Sequence, residues 1–326
     1  MRILVTGATG FAGEHLIDLL RSREPESLIV GTFHTHPPAS EPPRQDRLRY
    51  VCCDLVSGGG AAITGLIREI VPDRIYHLAA ASFGGAVDRD AVFRANVDGT
   101  GYVVNAAAAY APRCRILFAS TGYVYGNCPG DLTAREDRAL PPLETLPVYA
   151  QSKIRAEELV SRIDSCVIAR AFNHTGPGQT TTFSVPSFAC QIAQVESKLI
   201  DGMRVGNLEA VRDFLDVRDV VRAYYELAEH GTGGETYNVC SGVGRSMSAV
   251  LDTLIGMADV PITVFTDPER MRPADIARSV GDGSRLRSAV EWQPEITFER
   301  TLSDTLAFFR SSIRENTAHA AGIDLR

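Results

Sequence analysis

Three glycines set three residues apart, in Thr6-Gly7-Ala8-Thr9-Gly10-Phe11-Ala12-Gly13, separate the apolar run Ile3-Leu4-Val5 from a segment of helical periodicity. A strand that passes straight into a helix needs one residue free to turn tightly. It needs a second that lets backbone approach a ligand, and a third that lets helix and strand pack closely. Gly7, Gly10 and Gly13 answer those needs in order. The next helix aims its unpaired N–H groups into the loop, where a pyrophosphate is favoured. The spacing is GxxGxxG rather than GxGxxG, so an ordinary glycine-rich turn is the alternative.

Beyond the loop the same alternation repeats. Short, apolar, often β-branched runs at 3–6, 28–33, 50–53, 74–78, 115–119 and 166–170 read as strands buried on both faces. Helical periodicity fills 11–21, 60–70, 90–111 and 148–163. Alternation of this kind implies a doubly wound parallel sheet, a Rossmann α/β domain, over 1–170, with a segment near 212–240 returning to it. Residues 171–326 then form a smaller α/β substrate domain with helices at 220–229, 246–258 and 297–310 and a strand at 236–240. Residues 173–187, rich in Gly, Pro and Thr, read as an ordered loop, 212–219 as a lead into a helix, and the tail 315–326 as flexible. A formal charge of -7 argues against a nucleic-acid partner. No apolar run is long enough to span a bilayer and no signal-peptide pattern is present, so the expectation is a cytoplasmic protein without a membrane partner. The seven cysteines are scattered without a CxxC pair, which predicts reduced, mostly buried thiols and no metal site.

Tyr149 and Lys153 are four apart, on one face of a predicted helix. A free phenol has a pKa of about 10, and a nearby ammonium is expected to lower it and bring the tyrosine into acid–base work. Thr121, where a predicted strand ends, adds a hydroxyl at the end of the sheet where such folds place ligands. The second strand ends in Gly31-Thr32-Phe33-His34-Thr35-His36 without a carboxylate, which leans the cofactor toward NADP over NAD, with His34 beside the ribose. Asp54 either accepts from an adenine amine or caps the next segment.

Five motifs in order, Thr6-Gly7-x-x-Gly10-x-x-Gly13, His77-Leu78-Ala79-Ala80, Asn96-Val97-Asp98-Gly99-Thr100, Ser120-Thr121-x-x-Val124-Tyr125-Gly126 and Tyr149-x-x-x-Lys153, resemble the extended short-chain dehydrogenase/reductase family. The resemblance implies Tyr149 as acid/base, Lys153 as its tuner and ribose holder, and Thr121 as the residue on the reacting sugar oxygen. It implies a dinucleotide held by Gly7, Thr9, Gly10, Phe11, Gly13, His34, Asp54, Leu55, Leu78, Ala79, Ala80 and Asn96 with Tyr149 and Lys153. Further on, Arg170 to Gln179, Val205 to Asp219, Tyr237 to Gly242 and Arg272-Pro273 resemble the nucleotide-sugar branch, most closely the GDP-4-keto-6-deoxy-D-mannose reductases and their GDP-mannose 4,6-dehydratase neighbours. That branch implies a GDP-sugar substrate touched by Ser82, Thr121, Tyr123, Asn173, Asn207, Arg212, Arg272 and Asp275, with Arg212 and Arg272 on the diphosphate. An ion pair of Arg212 with Asp213, Asp216 or Asp219 is the alternative for that residue. The helices at 90–111 and 148–163 are candidates to pair in a homodimer, as in relatives.

Chemistry divides the branch. A dehydratase must take a proton from C5 and expel the C6 hydroxyl, which calls for a further base, and that family carries a glutamate two residues after its Ser/Thr. Here Gly122 and then Tyr123 follow Thr121, so the resemblance implies NAD(P)H-dependent reduction of a C4 ketone, to GDP-D-rhamnose or GDP-6-deoxy-D-talose. A nucleotide-sugar 4-epimerase, which keeps its cofactor bound, uses the same three residues. A non-catalytic binding protein is disfavoured by their presence.

Overall fold

The sheet owes its seven-strand width to runs such as Ile3-Leu4-Val5, in which every side chain is fully buried. Burying such a chain is worth about 1.5–3 kcal/mol each. The computed structural model describes residues 1–38, 47–81, 88–271 and 276–320, the last five by backbone alone. In chain order the first half contains β1 (Arg2–Thr6), α1 (Phe11–Arg23), β2 (Leu28–Phe33), β3 (Leu48–Cys52), α2 (Ala61–Ile70), β4 (Arg74–His77), α3 (Arg89–Phe93), α4 (Gly99–Tyr110), β5 (Arg115–Thr121), α5 (Val148–Val160) and β6 (Cys166–Ala171). The second half contains β7 (Asn173–Thr175), α6 (Ser184–Glu196), β8 (Met203–Val205), β9 (Val211–Asp216), α7 (Val217–His230), β10 (Thr236–Val239), β11 (Gly244–Ser246), α8 (Met247–Ile255), β12 (Val264–Thr266), β13 (Arg278–Ser279), α9 (Ser284–Ala289) and α10 (Phe298–Ala320).

Seven strands form one sheet in the order β10-β6-β5-β4-β1-β2-β3, every pairing parallel. Successive residues of each strand feed opposite faces. Ile3, Val5, Leu117, Val167 and Ala169 join Leu16, Ile17 and Leu20 of α1 and Val220, Tyr224 and Leu227 of α7 on one side. Leu4, Ile116, Phe118 and Ile168 join α2, α4 and the end of α5 on the other. A third core collects α6, β8, α8 and α10 around Phe188, Ile192, Phe214, Leu254 and Leu302. Across it a small sheet runs β11-β9-β13, with β7 on β9, and β12 pairs β8.

The expected strands of the first half are all found, with ends shifted by one or two residues. Four readings of the chain need correction. Residues 173–187 are not all loop: β7 pairs with β9 through backbone, and α6 starts at Ser184 with Pro186 in its first turn. There a missing N–H costs nothing, because that group has no partner within the helix. Residues Val211–Asp216 form a strand rather than a lead-in, because Asp213 and Asp216 spend their charge on backbone and side-chain donors and are buried in doing so. The single helix expected over 90–111 is interrupted by a π-helical turn, Arg94–Asp98. The final helix runs beyond 310, to Ala320. Of the cysteines, Cys53, Cys114, Cys128, Cys166 and Cys240 are buried free thiols, Cys190 is half-buried and Cys52 is exposed. No helix among the described residues is long and apolar enough to cross a membrane.

Candidate active site

Parallel strands deliver their loops to one edge, and the predicted site residues gather along it at the ends of β1, β4 and β5. Gly7 takes φ +71°, and a Cβ there would lie 2.9 Å from the backbone of Ala79. At Gly13 a Cβ would fall 2.2 Å from the Gly7 carbonyl oxygen. The first turn of α1 therefore lies directly on the loop, and only glycine permits it. Gly10 is the N-cap of α1 and offers no side-chain cap, so the helix's first N–H groups remain open to an anion. This cradle fits a dinucleotide pyrophosphate. The neighbouring loop is held from within: Thr9 Oγ1 donates to His36 O at 2.8 Å, and Ala79 N donates to Thr6 Oγ1 at 3.2 Å.

Past the end of β2, His34 Nε2 lies 3.5 Å from Asp54 Oδ2. Asp54 is mainly a capping residue, accepting from Ser57 Oγ and from Val56 N at 2.8 Å, bonds that hold its pKa below the usual carboxylate value. Leu55 is buried against the start of α4 at Gly99.

Asn96 sits inside the π turn, and its amide is occupied by protein. Its Oδ1 accepts from Ala81 N at 2.7 Å, and Nδ2 donates to Ser152 Oγ at 2.9 Å. Ser152 Oγ in turn donates to Tyr149 O at 2.7 Å. Asn96 thus ties the loop after β4, which carries Leu78, Ala79 and Ala80, to the helix bearing Tyr149 and Lys153. A π turn places an extra residue in the helix and recurs at functional sites. Beside it the Thr100 hydroxyl donates to Asn96 O at 2.6 Å, so it accepts from His77 Nε2 at 2.9 Å. His77 Nδ1 then accepts the Thr6 hydroxyl at 2.7 Å. Burial pushes His77 down to about 3, so it is neutral.

Thr121 closes β5 and caps the turn Gly122–Tyr125, accepting from Tyr123 N at 3.2 Å. Ser120, the competing hydroxyl, is turned inward onto Glu157. Lys153 is buried, donates to Ala119 O at 2.7 Å, and stands 4.8 Å from the Phe118 ring centroid and 5.9 Å from that of Tyr149. Burial lowers it to about 8, against the pull of Glu157. The expected lowering of the Tyr149 pKa is not found. Burial first, and the Tyr123 phenol nearby, raise it instead. The Tyr149 phenol is therefore held in its neutral form.

Asn173 Nδ2 donates to Tyr123 OH at 3.0 Å, while its Oδ1 is buried and lacks a partner among the described residues. That is an acceptor waiting for a donor. His174 is a bracing residue: its Nδ1 meets Phe172 O at 3.1 Å, and its ring stacks on Phe11 at 6.0 Å between centroids. His15 meets Phe11 edge-on and Pro177 O at 3.1 Å. Asn207 accepts from Glu209 N in the loop before β9. Arg212 donates to Val211 O at 2.9 Å and Ala277 O at 3.3 Å. The alternative ion pair is not formed, since Asp213 is held by Ser241 and Gly242, Asp216 by Arg218, and Asp219 by Arg222. Ser82, Arg272 and Asp275 lie outside the described residues.

The sequence reading missed the buried support beneath these groups. Arg170 donates to Glu157 through Nε at 3.0 Å and Nη2 at 2.6 Å, and through Nη1 to Tyr125 OH at 2.9 Å. Tyr125 donates to Asn238 Oδ1 at 2.8 Å. The available signal was an arginine in the otherwise apolar strand Cys166-Val167-Ile168-Ala169-Arg170-Ala171, since a buried charge requires a partner.

A family model described as GDP-mannose 4,6 dehydratase matches residues 4–305. A GDP-6-deoxy-D-mannose reductase of Pseudomonas aeruginosa is 32% identical over 322 residues, 96% of this chain and 99% of that protein. The solved structure of RMD from Pseudomonas aeruginosa complexed with NADPH superposes with a TM-score of 0.79 at 30% identity, over 95% of this chain and 99% of that one. The UDP-glucose 4-epimerase of Thermus thermophilus, solved in complex with NAD, gives a TM-score of 0.81 at 27% identity over 96% and 100%.

Proposed function

The chain belongs to the extended short-chain dehydrogenase/reductase family of nucleotide-sugar enzymes described as GDP-mannose 4,6 dehydratase, and from that membership we propose that it reduces the C4 ketone of a GDP-4-keto-6-deoxy-hexose. It is an NAD(P)-dependent oxidoreductase, like its reductase, dehydratase and epimerase relatives. One observation carries the choice of reduction: among the described residues, the reacting end holds a neutral proton donor and no free base. Tyr149 is kept protonated, and position 123, where a dehydratase has glutamate, is a phenol bound to Asn173. Glu157, beneath Ser120, has both oxygens taken by Arg170 and Ser120.

The nicotinamide, when bound, supplies the hydride to the ketone carbon. Tyr149 gives its proton to the carbonyl oxygen, completing the alcohol, and Thr121 orients that oxygen. Lys153 braces α5 against Ala119 and places positive charge beside the phenol when the oxyanion-bearing state forms. Gly7, Gly10 and Gly13 hold the pyrophosphate at the start of α1. The end of β2 at Phe33-His34-Thr35 carries no carboxylate to repel a 2′-phosphate, which favours NADP, the cofactor class of the Pseudomonas structure.

The test supplies GDP-4-keto-6-deoxymannose with NADPH or NADH, follows cofactor oxidation and reads the C4 configuration of the product by NMR. Stoichiometric oxidation is expected, faster with NADPH. Turnover without net oxidation assigns the site to 4-epimerisation instead. Tyr149→Phe should lose about 10²–10⁴ in rate and still bind cofactor; unchanged turnover refutes the mechanism.

A further inference from the structure

Tyr149, Lys153 and Glu157 follow one another at single-turn spacing along one face of α5. Two of them reach consecutive residues of β5. Lys153 Nζ donates to Ala119 O at 2.7 Å, and the Ser120 hydroxyl donates to Glu157 Oε1. Ser120, Lys153 and Glu157 are all buried. Thr121 is the next residue of β5, and Tyr149 stands one turn before Lys153. The two contacts therefore pin α5 to β5 just beneath the reacting pair.

Glu157 is itself gripped from the far side. Ser120, Arg170 and Asn238 are in register across β5, β6 and β10, so their side chains share the sheet face that carries α5. The Arg170 fork meets both Glu157 oxygens, through Nε at 3.0 Å and Nη2 at 2.6 Å. Its Nη1 donates to Tyr125 OH at 2.9 Å. Tyr125 ends the turn that Thr121 begins, and its hydroxyl donates to Asn238 Oδ1 at 2.8 Å. The chain is thus anchored on both sides of Thr121, at Ser120 before it and at Tyr125 after it. Stability alone does not account for such a row, because a buried ion pair gains little over apolar side chains of similar volume. Geometry does. A ketone oxygen that takes a hydrogen bond of about 2.7 Å from each of two hydroxyls needs a fixed gap between Tyr149 and Thr121. A displacement of about 1 Å costs up to about 100-fold in rate.

We propose that Glu157 is a positioning residue: with Ser120 it latches α5 to β5 and sets the distance between the Tyr149 phenol and the Thr121 hydroxyl. Its effect on rate rests on the reduction reading above, whereas the latch itself belongs to the chain without ligand. Neither Ser120 nor Glu157 meets the substrate. Each acts through the backbone that bears a reacting group.

The test compares Ser120→Ala with Ser120→Thr, which keeps the hydroxyl and suits a strand. Ser120→Ala should lower kcat for GDP-4-keto-6-deoxymannose by about 10- to 100-fold, with KM and NADPH affinity unchanged. Ser120→Thr should restore the rate. Arg170→Met/Glu157→Leu removes the latch together with both buried charges, and it should be as slow as Ser120→Ala even where its urea midpoint matches wild type. It stands in if the alanine variant does not fold. Hydrogen–deuterium exchange without substrate should be faster across the Gly122–Gly126 amides in both slow variants. Wild-type kcat in Ser120→Ala, or a threonine variant as slow as the alanine one, overturns the role of Glu157 and leaves the reduction reading intact. A wild-type enzyme that reduces no ketone overturns the reduction reading. The exchange rates then decide the latch alone, and wild-type protection in both variants overturns it.

Discussion

Replacing Arg170 by methionine should be far more damaging than its distance from the glycine loop suggests. The Arg170 and Glu157 side chains are 9% and 8% exposed, and the guanidinium meets both carboxylate oxygens. With Arg170 gone, Glu157 keeps only the Ser120 hydroxyl as a donor among these contacts, and Tyr125 loses its Nη1 partner. Stranding one member of a buried pair costs about 3–5 kcal/mol, a large share of a total stability of about 5–15 kcal/mol. An exposed pair costs about 0–1 kcal/mol. The double variant Arg170→Met/Glu157→Leu removes both charges and should recover a substantial part of the loss, because apolar replacements of a buried pair are often neutral. Urea unfolding measures this, read from the chain's single tryptophan, Trp292, which is buried and donates to Asp219 O at 3.0 Å. Far-ultraviolet dichroism on the same samples checks that the transitions coincide. A loss below about 1 kcal/mol in Arg170→Met, or a double variant as unstable as the sum of the singles, refutes the reasoning.

The same geometry leads to three further outcomes. Gly13→Ala puts a Cβ 2.2 Å from the Gly7 oxygen, so α1 must shift off the loop; dinucleotide affinity, read by fluorescence titration, should fall by at least tenfold, about 1.4 kcal/mol. His77 is neutral in the fold with its pKa near 3, below its unfolded value of about 6.5. Below pH 6.5 the unfolded chain takes up a proton that the folded chain refuses, so stability should fall as pH falls from about 6.5 toward 3, by up to about 1.4 kcal/mol per unit. His77→Gln should flatten that slope in thermal melts. Asn96→Ala leaves Ala81 N without its acceptor and Ser152 Oγ without its donor, with only its bond to Tyr149 O, and should cost about 1–3 kcal/mol while lowering kcat more than it raises the KM for substrate.

The large sheet was legible because its strands obey one rule, apolar on both faces, and the runs at 28–33 and 166–170 needed almost no adjustment. Strand β9 was not, because Arg212, Asp213 and Asp216 look like a solvated segment until their partners at 241–242 and 218 are folded against them. The positions of Thr121, Tyr149 and Lys153 could be read from spacing and resemblance. The direction of the Tyr149 pKa could not, since it turns on how deeply the fold buries the phenol and on the Tyr123 ring brought beside it. The Arg170–Glu157 support escaped because nothing local marks which buried acid an arginine will find.

The stack of Phe11 on His174 has a thermodynamic meaning beyond bracing. Phe11 is the first residue of α1, inside the dinucleotide cradle, and His174 lies in β7 beside Asn173. One ring contact thus links the proposed dinucleotide and substrate subsites. Linkage is reciprocal, so whatever one ligand contributes to ordering that contact is returned in full to the affinity of the other. Equilibrium titrations in which each ligand is varied at fixed occupancy of the second should close to the same coupling factor.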